Sequence, residues 1–467
     1  MGTSNCSDDF KRDAVHHITA SGLRNLGLSE EELASFSDPF REGMMQEDRL
    51  RRLGDRRKSN WLDTVIEGGP IWSGNVASAA HSESVKADQT DDETSVKTAT
   101  TVHAMVLLYA QERKDVETKT KEIEKLLTNQ NVAIVHSLPL VLDVEEGRNF
   151  SREHFGFADG ISQPIPYDEP RADSKKTSAV EVDGKLALEP DPVRGVRLGE
   201  ILLGHVNGHQ EIPPGPMVRD IADNPLPEQN DALVFRDLGR NGSYMVVRQL
   251  HQDVPAFWKG MQEAASTLCK QDSEAKDVDA TWVAEKMVGR GVDGCGLRPE
   301  GRIPNGPNGE IDNGFRYFDE DRHVTGCPLG SHVRRSNPRD SLAPKEDMKQ
   351  TLSDAANNHR ILRRARKYGT KIENKLEDDG KERGLLFICL NTDIARQFEF
   401  TQQTWLMNSD FSTLYEETDP LIGPDGEMAI PVEPLRYRAK VKTFVKLVGG
   451  EYFFLPSVNG LRYLAAL

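Results

Sequence analysis

At 467 residues the chain has the length for two or three domains and for a core large enough to enclose a sizeable cofactor. Fifty-nine basic residues against 75 acidic ones give a formal charge of -16, which repels phosphate backbones and anionic bilayers and argues against nucleic acid or membrane as the main partner. No apolar run nears the roughly 20 residues of a membrane span. The opening MGTSNCSDDF lacks both a secretory signal and the Ser or Thr of a myristoylation pattern, and Cys6, Cys269, Cys295, Cys327 and Cys389 show no CxxC spacing, so a cytoplasmic protein with reduced thiols is expected.

Residues 1–58 read as a polar lead-in ending in charged helix (EEELASF, then REGMMQEDRLRRLGDRRK), and the Ser-, Asp- and Thr-rich stretch 75–98 reads as a surface loop. TVHAMVLLYA (101–110) predicts a strand, ERKDVETKTKEIEKLL (112–127) a helix through Val116, Ile123 and Leu127, and NVAIVHSLPLVL (131–142) another strand. After the polar segment 168–195, strands are expected at EILLGHV and SYMVVRQL, and helices at VPAFWKGMQEAASTL and VDATWVAEKMVG. Strand GLLFICLN, helix TDIARQFEFTQQTWLM and a hairpin VKTFVKLVGGEYFFL turning at Gly449 and Gly450 complete the chain. Strands and helices in comparable amounts without a strict βαβ rhythm predict an α+β fold with helices on antiparallel sheets.

Three stretches could carry chemistry. In HFGFADGISQP (154–164), Asp159 lies between Gly156 and Gly160, which let the backbone turn tightly and approach another group, although Asp-Gly alone more often marks an Asx-turn. In HVTGCPLGSHVRRSNPR (323–339), His332 precedes Arg334 and Arg335. A lone histidine is usually a hydrogen-bonded or solvated residue, but one followed by arginines suits an iron ligand beside the anionic propionates of a haem; Cys327 is the weaker competitor for the iron. HRILRRARKYG (359–369) is a basic run that reads either as a solvated face or as the source of one inward cation, Arg363, able to stabilise a developing anion.

Together GFADG, GSHVRRSNPRD and ILRRARKYG resemble the GxxDG, haem-ligand and distal-arginine segments of the dye-decolorizing peroxidase family. The likeness runs on through LGLSEEELASF, GEILLGHVNG, NGSYMVVRQLHQDV and FICLNTDIARQFEFTQQTW, in the right order over most of the chain, and is nearest the larger intracellular members. It implies two ferredoxin-like domains, 1–195 with the GxxDG loop and 196–467 with most of the haem pocket, and one haem b per chain. It implies His332 as proximal ligand, Asp159 as distal acid-base residue beside Gly160, Arg363 as distal cation and Arg334 as propionate partner. It further implies Asp393 as the acid bonded to the proximal imidazole, although Asp393 also reads as a helix N-cap. Leu385 and Phe387, two apart on one strand, are expected to form the dry distal wall. Ala365 and Lys367 depart from the Gly and Pro common in the arginine loop.

The implied reaction is oxidation of dyes, phenols and other organic donors by hydrogen peroxide through a ferryl haem, with no nucleic-acid or membrane partner and with room for a homo-oligomer. An acidic optimum is expected, since aspartates ordinarily titrate near pH 4. A haem carrier or iron-releasing protein using the same pocket is the alternative. For donors too bulky to reach iron, Tyr368 and then Trp405 are the candidate relays to the surface, each equally readable as a packed aromatic.

Overall fold

The computed structural model describes residues 12–57, 61–62, 70–74, 100–141, 150–168, 180–182, 185–187, 190–222, 224–227, 235–306, 310–432 and 435–467. The fold is α+β. Its centre is the strand Ser243–Gln252, paired antiparallel with Val445–Leu455 on one side and Gly384–Asn391 on the other. Side chains alternate across a strand, so this one feeds two cores. Tyr244 and Val246 join Leu23, Phe40, Tyr452 and Phe454, whereas Met245 and Val247 join Leu386, Ile388 and Phe453.

Beyond Gly384–Asn391 the sheet continues through Leu362–Arg363 and Arg366–Tyr368 to Leu140–Val141. On the opposite side, Val445–Leu455 meets Trp72–Ser73 and, at Ile18, the strand Arg12–Ile18, which pairs along its length with Ala104–Ala110. Strands from both halves of the chain therefore share one sheet. Against it the helix Val254–Gln271, capped by the Asp253 side chain on the Ala256 N–H, packs with Ala280–Val288 and the hairpin Gly426–Val432/Leu435–Val441 around Phe257, Met261, Met287, Met428 and Phe444. No helix among the described residues is long and apolar enough to cross a membrane.

Several elements differ from expectation. VKTFVKLVGGEYFFL is no hairpin but one strand running through Gly449 and Gly450. A Cβ on Gly449 would lie 2.6 Å from the Trp72 carbonyl oxygen and 2.7 Å from its ring, so glycine there admits the neighbouring strand rather than making a turn. EILLGHV opens with the 3-10 turn Leu198–Glu200 and continues in turns, because the buried Glu200 carboxylate bonds the Gly208 N–H and pairs with Arg396 at 2.6 Å. Of the expected strand 131–142, only Leu140–Val141 pairs among the described residues, 131–141; Val132, Ile134 and Val135 are exposed. The supposed lead-in holds the strand Arg12–Ile18 and short helices that give Leu23, Leu33 and Phe40 to the core, with Phe36 between two of them. Ala395–Glu399 and Thr401–Leu406, expected as α-helix, are π-helical. The stretch 75–98 lies outside the described residues.

Candidate active site

His332 opens the short helix His332–Ser336, just after Ser331. Its Nδ1 stands 3.1 Å from both carboxylate oxygens of Asp419, and this leaves Nε2 as the nitrogen available to a ligand. Asp419 is almost wholly buried and also accepts from the Leu421 and Ile422 N–H groups at 3.0 and 2.9 Å. Desolvation, the largest single effect, pushes its pKa up, but His332, Arg335 and the Ile422 N–H together hold it below the ordinary carboxylate value.

The acid on the imidazole is thus Asp419, not Asp393. Asp393 accepts the Arg396 N–H at 2.9 Å and so serves the start of its own helical segment. Arg334 is likewise not a propionate partner. Its guanidinium is buried against Asp321 at 2.8 Å, bonds the Cys327 carbonyl at 2.7 Å and stacks over Tyr317. Asp321 in turn accepts the Gly326 and Cys327 N–H groups. That charge is neutralised, and it ties the 321–327 loop to the His332 helix. The Cys327 thiol is fully buried beside Ser331 and Tyr317, and burial raises its pKa.

The loop carrying Asp159 grows from a two-residue hairpin, Ser151–Arg152 with Ala158–Asp159. Glu153 closes its turn by accepting the Phe155 and Phe157 N–H groups and the Gln252 side chain. Half-buried Asp159 accepts the Gly160 N–H at 2.7 Å. Gly160 has φ of +79°, and open space surrounds the position a Cβ would take. The carboxylate's bond to the next N–H and the open approach at Gly160 therefore coexist. The loop is fastened to the arginine strand twice: the Arg363 N–H donates to Gln163 Oε1 at 3.0 Å, and its guanidinium donates to the Ile161 carbonyl at 2.7 Å. Sequence-distant Asp159, Gly160 and Arg363 are brought to one region, with no ion pair between the acid and the arginine among the described residues.

Register places Arg363 opposite Cys389, on the face that also carries Leu385 and Phe387. Three further arginines crowd the same loop. Arg339 donates to Ser162 Oγ and to the Asn313 and Phe315 carbonyls. Arg360 donates to the Ser162 carbonyl, while its buried Nη1 has no partner. Arg290 bonds the Gly294 carbonyl and Asn313. None of the four forms an ion pair among the described residues. Burial first, then the neighbouring arginines, lowers Arg339 to about 10 and Arg360 to about 9. Both stay cationic at neutral pH, and such a group calls for an anion.

This arrangement fits a haem: one histidine with an oriented imidazole for the iron, and unpaired buried cations for the propionates. Among the described residues no three His, Cys, Asp or Glu side chains converge as a self-contained metal site. Sequence reasoning missed Asp419, Arg339 and Arg360, although the last two lie inside the quoted segments. Tyr368 is buried, with its hydroxyl donating to the Leu250 carbonyl at 3.2 Å. Trp405 is buried against His359 and Phe400.

No protein-family model matches the chain. A dye-decolorizing peroxidase of Mycetinis scorodonius is 25% identical over 469 residues, covering 95% of this chain and 75% of the relative. A multifunctional dye peroxidase of an Amycolatopsis species is 28% identical over 384 residues, covering 78% and 71%. Among solved structures, a DyP-type peroxidase of Anabaena superposes with a TM-score of 0.65 at 24% identity over 97% of this chain and 80% of that one. A decolorizing peroxidase of Auricularia auricula-judae gives 0.67 at 21% over 98% and 88%. The structural likeness defines the class, the α+β fold of DyP-type peroxidases. In sequence the chain is similar, at 25–28% identity, to proteins named as dye-decolorizing or dye peroxidases.

Proposed function

We propose that the chain is a haem b-dependent peroxidase that uses hydrogen peroxide to oxidise dyes, phenols and similar organic donors. The observation that carries the reading is the His332–Asp419 couple, which fixes the imidazole with Nε2 outward for iron. Asp419 accepts the Nδ1 proton and makes His332 a more electron-rich ligand. Arg339 and Arg360 would hold the propionates, a role expected of Arg334 but closed to it by Asp321.

When bound, the haem supplies the iron at which the peroxide O–O bond is cleaved and through which donors are oxidised. Asp159 would take a proton from hydrogen peroxide and return it to the leaving oxygen, which departs as water. The guanidinium of Arg363 balances the negative charge that builds during cleavage. Leu385 and Phe387 keep bulk water and large donors from that space.

The test is an absorption spectrum of the purified holoprotein before and after peroxide, followed by stopped-flow measurement of Asp159→Asn and Arg363→Leu. Both variants are expected to retain haem and to react with peroxide about 10²- to 10³-fold more slowly. A wild-type rate in either removes that residue from the mechanism. A haem-loaded protein that does not turn over peroxide supports the carrier or iron-releasing alternative.

A further inference from the structure

We propose that Arg335 is a positioning residue for the proximal histidine, locking the turn before His332 and the segment bearing Asp419 into one frame. The side chain is entirely buried. Its Nε donates to the Gly330 carbonyl at 3.1 Å, and Nη2 donates to the Glu417 carbonyl at 3.0 Å. Gly330 lies two residues before His332, and Glu417 lies two residues before Asp419. One planar fork therefore grips both members of the couple at the same remove. Nη1 completes the clamp on the carbonyls of Trp405, Leu406 and Asn408, at 3.3, 3.3 and 2.8 Å, where the π-helical segment ends.

No carboxylate pairs with this guanidinium among the described residues. The Glu417 side chain is engaged by the Ala429 N–H at 3.0 Å. Burying a cation among carbonyls is costly, and an apolar side chain would fill the space more cheaply. What arginine adds is direction: five donors in a rigid plane fix three chain segments relative to one another. Neither the His332–Asp419 bond nor the orientation of the imidazole can then drift without breaking several hydrogen bonds.

This inference rests on the peroxidase reading, with His332 as ligand, and His332→Ala tests that reading separately: normal haem content and axial ligation in this variant sink the ligand assignment itself. For the clamp, holoprotein carrying Arg335→Lys is compared with wild type and Asp419→Asn, by resonance Raman of the ferrous iron–histidine stretch and by reduction potential. Lysine keeps the charge but cannot reach five carbonyls. Both signals are expected to move from wild type toward Asp419→Asn, with haem release accelerated about 10- to 100-fold. A lower melting temperature with an unchanged stretch and potential means a merely structural role, and wild-type behaviour throughout means none; either overturns the proposal.

If the lysine variant does not fold, Gly330→Ala decides. Its Cβ would stand 2.8 Å from Glu417 Oε2 and displace that carboxylate from the Ala429 N–H, disturbing the Glu417 segment that Arg335 holds. A smaller shift in the same direction supports the clamp, and an unmoved stretch and potential refute it.

Discussion

The two sides of the candidate site treat charge in opposite ways. Around His332 the ion pairs are closed, Asp419 with the imidazole and two N–H groups and Arg334 with Asp321, while Arg335, without a carboxylate among the described residues, has every nitrogen bonded to a carbonyl. Around the Asp159 loop, Arg290, Arg339, Arg360 and Arg363 have no ion pair among the described residues, and a buried nitrogen of Arg360 is unsatisfied. Matched charge holds a geometry; unmatched charge waits for a ligand. In the proposed holoprotein the His332 side is finished by the chain itself, whereas the arginine side would be completed by the haem propionates.

The comparison is broken most strongly by removing one arginine from each side. Arg334→Met leaves Asp321 buried and unpaired and is expected to cost about 3–5 kcal/mol in the haem-free protein. Arg360→Met removes a cation that has no partner ion and several like neighbours, so haem-free stability is expected to change by less than about 1 kcal/mol. Haem affinity in that second variant should fall about 10- to 100-fold, as expected for one charge-assisted hydrogen bond to a propionate. Denaturant unfolding without haem and titration with haem read the two effects. Equal losses of haem-free stability would falsify the division into matched and unmatched sides.

This division was only partly legible in the sequence. The strands with clean apolar content, Ser243–Gln252 and Gly384–Asn391, and the capped helix Val254–Gln271 could be read because local pattern and burial agree there. Gly449 and Gly450 misled, since a close approach by Trp72 and a turn demand the same residue. In the candidate site, motif segments singled out Asp159, His332 and Arg363 for proposed roles, but which arginine is spent on a carboxylate depends on where Asp321 folds, 13 residues from Arg334 in the chain. Asp419 lies 87 residues from His332 and sits in DPLIG, which has no local signal of its own. Asp393 attracted the assignment because an acid that starts a helical segment looks the same whether it binds a distant imidazole or its own N–H groups.

A carboxylate far from both sides sharpens the contrast. Glu32 completes a capping box with Ser29 and also bonds the Arg219 N–H and guanidinium. Desolvation, its largest single influence, works upward, but these partners hold its pKa below the ordinary glutamate value. A depressed folded pKa gives stability that is complete above the unfolded glutamate pKa of about 4.3 and is lost as pH falls through the folded value. Glu32→Gln is therefore expected to cost about 1–2 kcal/mol at pH 7 and much less near pH 3. Unfolding curves for both proteins at the two pH values check it, and a pH-independent difference would count against the ionic tie.

The smallest effect is expected at Tyr368, on the strand that follows Arg363. As a relay to bulky donors it would need an oxidisable ring near solvent. Instead the ring is buried between Gly384–Asn391 and Leu140–Val141, its hydroxyl satisfied by the Leu250 carbonyl and its backbone carbonyl bonded to His154 Nε2. Burial also raises the phenol pKa, because it takes water away from the charged form. One-electron oxidation of tyrosine at neutral pH releases that proton, and a carbonyl is a poor acceptor for it. Tyr368→Phe should therefore cost about 0.5–1.5 kcal/mol of stability, the price of one buried hydrogen bond, while leaving the ratio of rates on an anthraquinone dye and on a small phenol unchanged. Selective loss of the dye reaction would restore Tyr368 as a relay and show that burial in this sheet does not prevent it from carrying charge.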